Sequence, residues 1–204
     1  MSDITVVIPT HPGRDVNMLA RAIHSVWAQT RKPDVVIVSQ DLERRGAGHT
    51  RNKGLFAANT TYTAFLDSDD ELLPDHLDTL WQAMEADRAT IMAYSWFEPV
   101  GMPDPLGHFG LPFNIETPHH TTVTTMVDTY AAQAAGGFPE QGEGSTDGCL
   151  NDDWIFLLRM CEYAKQGVGA YGEPGKIVHV PKKTWRYHGH SSNTSGKPGR
   201  GDAK

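Results

Sequence analysis

Four acidic residues crowd into five positions at Asp67-Ser68-Asp69-Asp70-Glu71, directly after the apolar run Ala64-Phe65-Leu66. A short apolar run bounded by polar residues reads as a buried strand, here Tyr62 to Leu66. The acids therefore lie where a strand leaves its sheet, and open α/β sheets bind ligands at the carboxyl ends of their strands. Carboxylates so placed repel one another unless a cation or hydrogen bonds offset them. Hard oxygens on one short loop suit Mg²⁺ or Mn²⁺, particularly when a substrate phosphate completes the coordination. Helix capping explains part of the same cluster: Asp70 and Glu71 read as the cap and first turn of a helix entered through Pro74. It explains Asp67 and Asp69 less well.

Three further groups carry chemistry. Asn151-Asp152-Asp153-Trp154 opens an apolar helix. Its acids are either caps or a general base whose pKa is raised by burial beside another acid. His49-Thr50-Arg51-Asn52-Lys53 places two cations just ahead of the acid-ended strand, as a solvated helix face or a phosphate contact. Trp185-Arg186-Tyr187-His188-Gly189-His190 ends in a His-x-His pair that either binds metal or stands in solvent. His119 and His120 are adjacent on an extended segment and face opposite ways.

The elements that must position these groups alternate strand and helix. Ile4 to Ile8 and the continuously apolar Val35 to Val38 read as buried strands. Between them, Leu19, Ile23, Val26 and Trp27 form a helical stripe. A strand, a helix and a strand within forty residues is a βαβ unit of a parallel sheet. Thr50 to Asn59 reads as a helix burying Leu55 and Phe56. Leu77, Leu80, Trp81 and Met84 give the next helix its apolar face, and Thr90 to Phe97 is another strand. Glu98 to His120, rich in proline, reads as a long loop, with room for a hairpin. Thr121 to Ala135 begins as strand and ends as helix, Gly136 to Glu140 turns, and Gln141 to Cys149 is glycine-rich. Lys176 to Val180 is a short strand, and residues 196–204 read as a disordered tail.

The chain has 204 residues, 39% of them apolar and 21% charged, with a net charge of -7. That is ordinary for a soluble globular domain and argues against a broad nucleic-acid footprint. No apolar run reaches membrane-spanning length, and no signal peptide is evident. Two cysteines make no disulfide framework, so reduced thiols and a cytoplasmic location are expected.

Taken in order, these pieces resemble the family-2 glycosyltransferases of the GT-A fold, over Ile4 to about Asn193. The carriers are Ile4-Thr5-Val6-Val7-Ile8-Pro9-Thr10, Ser25-Val26-Trp27-Ala28-Gln29-Thr30, Thr50-Arg51-Asn52-Lys53-Gly54, Phe65-Leu66-Asp67-Ser68-Asp69-Asp70, Gly136-Gly137-Phe138-Pro139-Glu140, Asp152-Asp153-Trp154 with Arg159, and Trp185-Arg186-Tyr187-His188. The resemblance implies a single Rossmann-like α/β domain over 1–195, its mostly parallel central sheet flanked by helices. Residues 1–98 would bind the nucleotide-sugar and 99–195 the acceptor. It implies inverting, metal-dependent transfer of a sugar from a nucleotide-diphosphate sugar, a UDP-sugar first among them. Pro9, Thr10, His11, Arg14, Asp41, Arg51, Asn52, Asp67 and Ser68 would contact the donor. Asp69, Asp67 and His188 would hold Mn²⁺ or Mg²⁺, with His190 the rival histidine. Asp153, beside Asp152, would be the base.

The sequence departs from the family at Ser39-Gln40-Asp41-Leu42, where Asp-Asp-Gly-Ser is usual, and at Asp152, where Glu is usual. A non-catalytic sugar- or nucleotide-binding module, a nucleotidyltransferase and a metal-free two-carboxylate hydrolase are the competing readings. The acceptor (saccharide, small molecule, protein or modified DNA base) and the oligomeric state stay open.

Overall fold

The computed structural model describes residues 3–104, 106–140, 152–167 and 172–190. The expected glycine-rich stretch at 141–149, Asn151 and the tail at 196–204 lie outside them. One seven-stranded sheet, in the order β2-β1-β3-β6-β5-β7-β4, organises the chain. Strand β1 (Ile4–Thr10) is buried along its whole length. Parallel to it on either side run β2 (Val35–Gln40) and β3 (Tyr62–Phe65). Strand β5 (Thr90–Val100) is parallel to β7 (Lys176–His188). Between β3 and β5, β6 (Thr125–Asp128) runs antiparallel to both. At the far edge the two-residue β4 (Glu71–Leu72) opposes β7. Five strands thus share one direction and two oppose it.

Helices α1 (Val16–Trp27), α2 (Ala47–Ala57) and α3 (His76–Glu85) alternate with the early strands. Helices α4 (Thr129–Ala134) and α5 (Asp152–Lys165) complete the layers. Asp15 starts α1 by accepting the amides of Asn17 and Met18 at 2.7 and 3.3 Å, a side-chain N-cap. Gly54 brings α2 against β1 so closely that an added Cβ would stand 2.8 Å from Val7 Cγ2 and nearer still to Cγ1. A buried polar knot joins helix to sheet. His76 Nδ1 meets Thr184 Oγ1 at 2.7 Å, and Ser95 Oγ meets the same oxygen at 2.6 Å. Burial drives the His76 pKa down to about 3, so the ring is neutral.

Several expectations change. Strand β2 is an edge strand, with Val38 42% exposed. Phe56 is 54% exposed, because Leu55 takes the sheet-facing position of α2, and Trp27 is exposed beside buried Val26. Asp70 and Glu71 do not cap α3. Glu71 is in β4, and the residue preceding α3 is Asp75, whose side chain makes no cap bond. Between Val100 and Thr125 the described residues form no strand, hence no hairpin. Strand β7 continues eight residues past Val180, where the sequence suggests that it stops, and takes in Trp185-Arg186-Tyr187-His188.

Candidate functional site

Strand β3 is wholly buried, so the chain turns polar only where it leaves the sheet. Leu66 still donates its amide to Val7 O at 3.1 Å, and Asp70 N turns back to Asp67 O at 3.1 Å. Asp67, Asp69 and Asp70 can each bring one carboxylate oxygen within 4.8 Å of the others. Three convergent carboxylates are a hard-oxygen set that fits Mg²⁺ or Mn²⁺.

Basic side chains from four segments already face this loop. Arg51 Nη2 donates to Asp67 Oδ1 at 2.6 Å. Arg14 Nη1 lies 3.0 Å from Asp69 Oδ2, and His190 Nε2 reaches the same oxygen at 2.9 Å. Arg21 Nη2 donates to the Asp69 backbone carbonyl. Asp70 is buried, and its Oδ1 accepts the amide of His188 at 3.0 Å. Burial, then the charges of Asp67 and Asp69, push its carboxyl well above the ordinary range. Burial opposes the charge on Arg51, but Asp67, followed by Asp153 and Asp152, more than offsets it, and its pKa is raised.

The His-x-His pair divides. His188 Nε2 is 3.4 Å from Glu71 Oε2, while His190 is the histidine beside Asp69. Burial, then the nearby Arg21, lowers the pKa of His188.

The first loop brings the rest of the predicted donor contacts. Pro9 pairs with Ser39 inside the sheet. Thr10 is buried, its carbonyl accepts the Asp41 amide at 2.8 Å, and its Oγ1 finds no hydrogen-bond partner among the described residues. His11 is exposed, its Nδ1 accepting the Gly13 amide at 3.1 Å. Ser68 is buried between the two acids. Asp41 spends both oxygens on the amides of Arg45 and Gly46, each at 2.9 Å. Burial works to raise its pKa, but these amides bring it below the ordinary value.

Asn52 faces the Gly136–Glu140 turn. Its Nδ2 donates to Phe138 O at 2.9 Å, and its Oδ1 accepts the Phe138 amide at 2.8 Å. Arg159 Nη1 donates to the carbonyls of Gly136, Gly137 and Phe138, each at 3.1 Å. Gly137 is left-handed, with φ 62°, and a Cβ there would sit 2.5 Å from Asn52 Oδ1. The turn thereby docks Phe138 edge-on against Phe65 and stacked on Phe156. Asn52 positions this turn, and its amide group is engaged there rather than turned outward.

The second acidic pair lies at the start of α5. Asp152 Oδ2 accepts the Gly48 amide at 2.8 Å, joining α5 to α2. Burial raises its pKa. Asp153 is exposed, with Oδ1 2.9 Å from the Trp154 amide. Arg21 and the buried Asp70 are the site residues sequence reasoning missed. Nothing local marks Arg21 among the cations of a surface helix, and Asp70 reads equally as a cap.

Residues 41–131 match the sequence model described as glycosyl transferase family 2. A curated relative, the succinoglycan biosynthesis protein ExoW of Rhizobium meliloti (strain 1021), is 35% identical over 111 residues, covering 41% of this chain and 34% of that protein. The S. aureus TarS 1-349 fragment in complex with UDP-GlcNAc superposes with a TM-score of 0.70 at 15% identity, over 94% of this chain and 60% of that one. The same fragment in complex with UDP gives 0.68 at 16% identity, over 91% and 60%. The fold is therefore the mixed α/β GT-A architecture. This chain spans about a third of ExoW and three-fifths of the TarS fragment. Among the described residues, no helix is long and apolar enough to cross a membrane.

Proposed function

We propose that this chain transfers a sugar from a nucleotide-diphosphate sugar, a UDP-sugar first among them, to an acceptor hydroxyl, with inversion at the anomeric carbon. One observation carries the reading: helix α2 joins the two acidic groups, Arg51 bonding Asp67 at the end of β3 and the Gly48 amide bonding Asp152 at the start of α5. A direct displacement needs such a division, with the leaving group on one side and the base on the other. The family match and the TarS complexes with UDP and UDP-GlcNAc support the donor class.

Residues 1–98 form the donor half in this reading. Thr10, with its buried, unpartnered hydroxyl, and the first loop line the nucleotide side. Asp69 and Asp67 would hold Mn²⁺ or Mg²⁺, with His190 the better placed histidine because it already stands at Asp69. A bound divalent ion supplies electrostatic relief to the departing diphosphate. Arg51 keeps Asp67 oriented. In the acceptor half, 99–195, Asp152 is committed to the Gly48 amide and fixes the start of α5. Asp153 is exposed, so its carboxylate is open to an incoming hydroxyl and takes its proton as the oxygen attacks.

A thermal-shift screen of nucleotide sugars with and without Mn²⁺ tests the donor class. Stabilisation by a uridine diphosphate sugar that requires the metal is expected. No response to any nucleotide sugar would remove the reading. For the base, Asp153→Asn should keep UDP-plus-Mn²⁺ binding and lower UDP release across an acceptor panel by about 10²-fold or more. Unchanged turnover would remove Asp153 as base.

A further inference from the structure

We propose that Arg14 is the resident counter-ion of Asp69 and exchanges onto the donor's diphosphate when a divalent cation takes that carboxylate. This rests on the donor-site reading above. Arg14 lies on the loop between β1 and α1, held by its amide to His11 O at 3.0 Å. Its Nη1 is 3.0 Å from Asp69 Oδ2, and both side chains are largely buried, at 17% and 14% exposure. Its buried Nε finds no hydrogen-bond partner among the described residues. The guanidinium is therefore only partly used, although it carries five donors in a planar fork suited to phosphate. Thr10, with its own unpartnered hydroxyl, lies four residues earlier.

Arg21 and Arg51 also leave a buried Nε without a hydrogen-bond partner, but they differ from Arg14 in what their terminal nitrogens hold. Arg51 is 6% exposed and its guanidinium lies 5.3 Å from the Phe138 ring centre, so its bond to Asp67 is walled in. Arg21 holds the Asp69 carbonyl, which a metal need not take. Among the described arginines, Arg14 is the one that meets the Asp69 carboxylate, at the oxygen His190 also reaches. A cation and Arg14 then compete for Asp69, and a diphosphate relieves the competition by giving the guanidinium a better acceptor. Metal and nucleotide binding are coupled positively, and the coupling is reciprocal.

The test measures Mn²⁺ binding by electron paramagnetic resonance on the full chain, with and without UDP, in wild type, Arg14→Gln and Arg14→Lys. Arg14→Gln should bind Mn²⁺ without nucleotide about tenfold more tightly, and the factor by which UDP raises Mn²⁺ affinity should fall by about the same tenfold. Arg14→Lys keeps the charge and should stay near wild type, which also controls for folding. Unchanged or weaker nucleotide-free Mn²⁺ binding in Arg14→Gln overturns the proposal. A wild-type chain that binds no UDP, with or without Mn²⁺, instead overturns the donor-site reading and the diphosphate half of the proposal. The nucleotide-free arm still decides the Arg14–Asp69 half.

Discussion

Gly54 is the position where the fold most directly sets the site, and replacing it with alanine has opposing effects. In an exposed helix the change would stabilise by about 1 kcal/mol. Here the new methyl would lie 2.8 Å from Val7 Cγ2 and closer to Cγ1, whereas carbons rest at roughly 3.5–4.0 Å. Val7 is fully buried in β1 and has no room to retreat. Helix α2 must move outward by about 1 Å, and overpacking of this kind costs about 1–3 kcal/mol. The net expectation is destabilisation by roughly 0–2 kcal/mol. Val7→Ala alone opens a cavity and costs about 2–3 kcal/mol. In the double variant the alanine methyl fills that space, so the two changes offset each other, with a coupling of about 1–3 kcal/mol. Urea unfolding of the four proteins measures the cycle. UDP affinity gives a second readout, since Arg51 lies one turn earlier on α2 and its 2.6 Å bond to Asp67 moves with the helix. Affinity should fall in Gly54→Ala and recover in the double variant. Additivity within about 0.5 kcal/mol, or a Gly54→Ala protein more stable than wild type, would refute the close-packing argument.

Three other outcomes follow from the geometry. His76 is buried and neutral with a pKa near 3, so the unfolded chain takes up a proton first as pH falls below its ordinary value. Stability from this group is intact above about pH 6.5 and is lost toward pH 3, at up to about 1.4 kcal/mol per pH unit. Asparagine at 76 should flatten that slope in urea titrations at pH 7, 6, 5 and 4; parallel slopes would contradict it. Asn52→Ala strips both buried bonds from Phe138 and should cost about 2–4 kcal/mol, with cleavage after Glu140 by a glutamate-specific protease accelerated. A loss below about 0.5 kcal/mol would mean that Arg159 alone secures the turn. Asp41→Ala leaves the Arg45 and Gly46 amides without their acceptor and should cost about 1–3 kcal/mol, whereas Asp41→Asn, which still offers one oxygen, should lose less by the same unfolding assay.

The parts legible in the sequence are those whose signal is local. The runs Ile4–Ile8 (apolar but for Thr5) and Ala64–Leu66 are apolar because both faces of β1 and β3 are covered, and the acids after Leu66 mark the strand's exit. What stayed hidden depends on distant partners. Val35–Val38 is as apolar as a central strand, and nothing in it tells that β2 has no neighbour on one side. Leu55 and Phe56 are equally apolar, yet the helical period allows only one of them to face β1. Glu71-Leu72 becomes a strand only because β7 aligns Arg186 and Trp185 with it. Lys182 and Lys183 disguise the middle of β7 as a break. His188 and His190 are two apart, so a strand's alternation puts them on one side. Where β7 ends, and not the spacing, separates their partners.

The pairing of β4 with β7 also bears on how this chain is made. Glu71 and Leu72 leave the ribosome early, yet Arg186 and Trp185, their sheet partners, follow more than a hundred residues later. Until then the acid loop lacks the wall that supplies His188, His190 and the Leu73 amide's acceptor, Thr184 O. The early strands can associate as they emerge, but the outer third of the sheet closes only when the two ends of this long loop meet. Contacts so remote in sequence slow folding. A nascent chain therefore carries an assembled βαβ platform and an open acidic edge until β7 emerges to cover it.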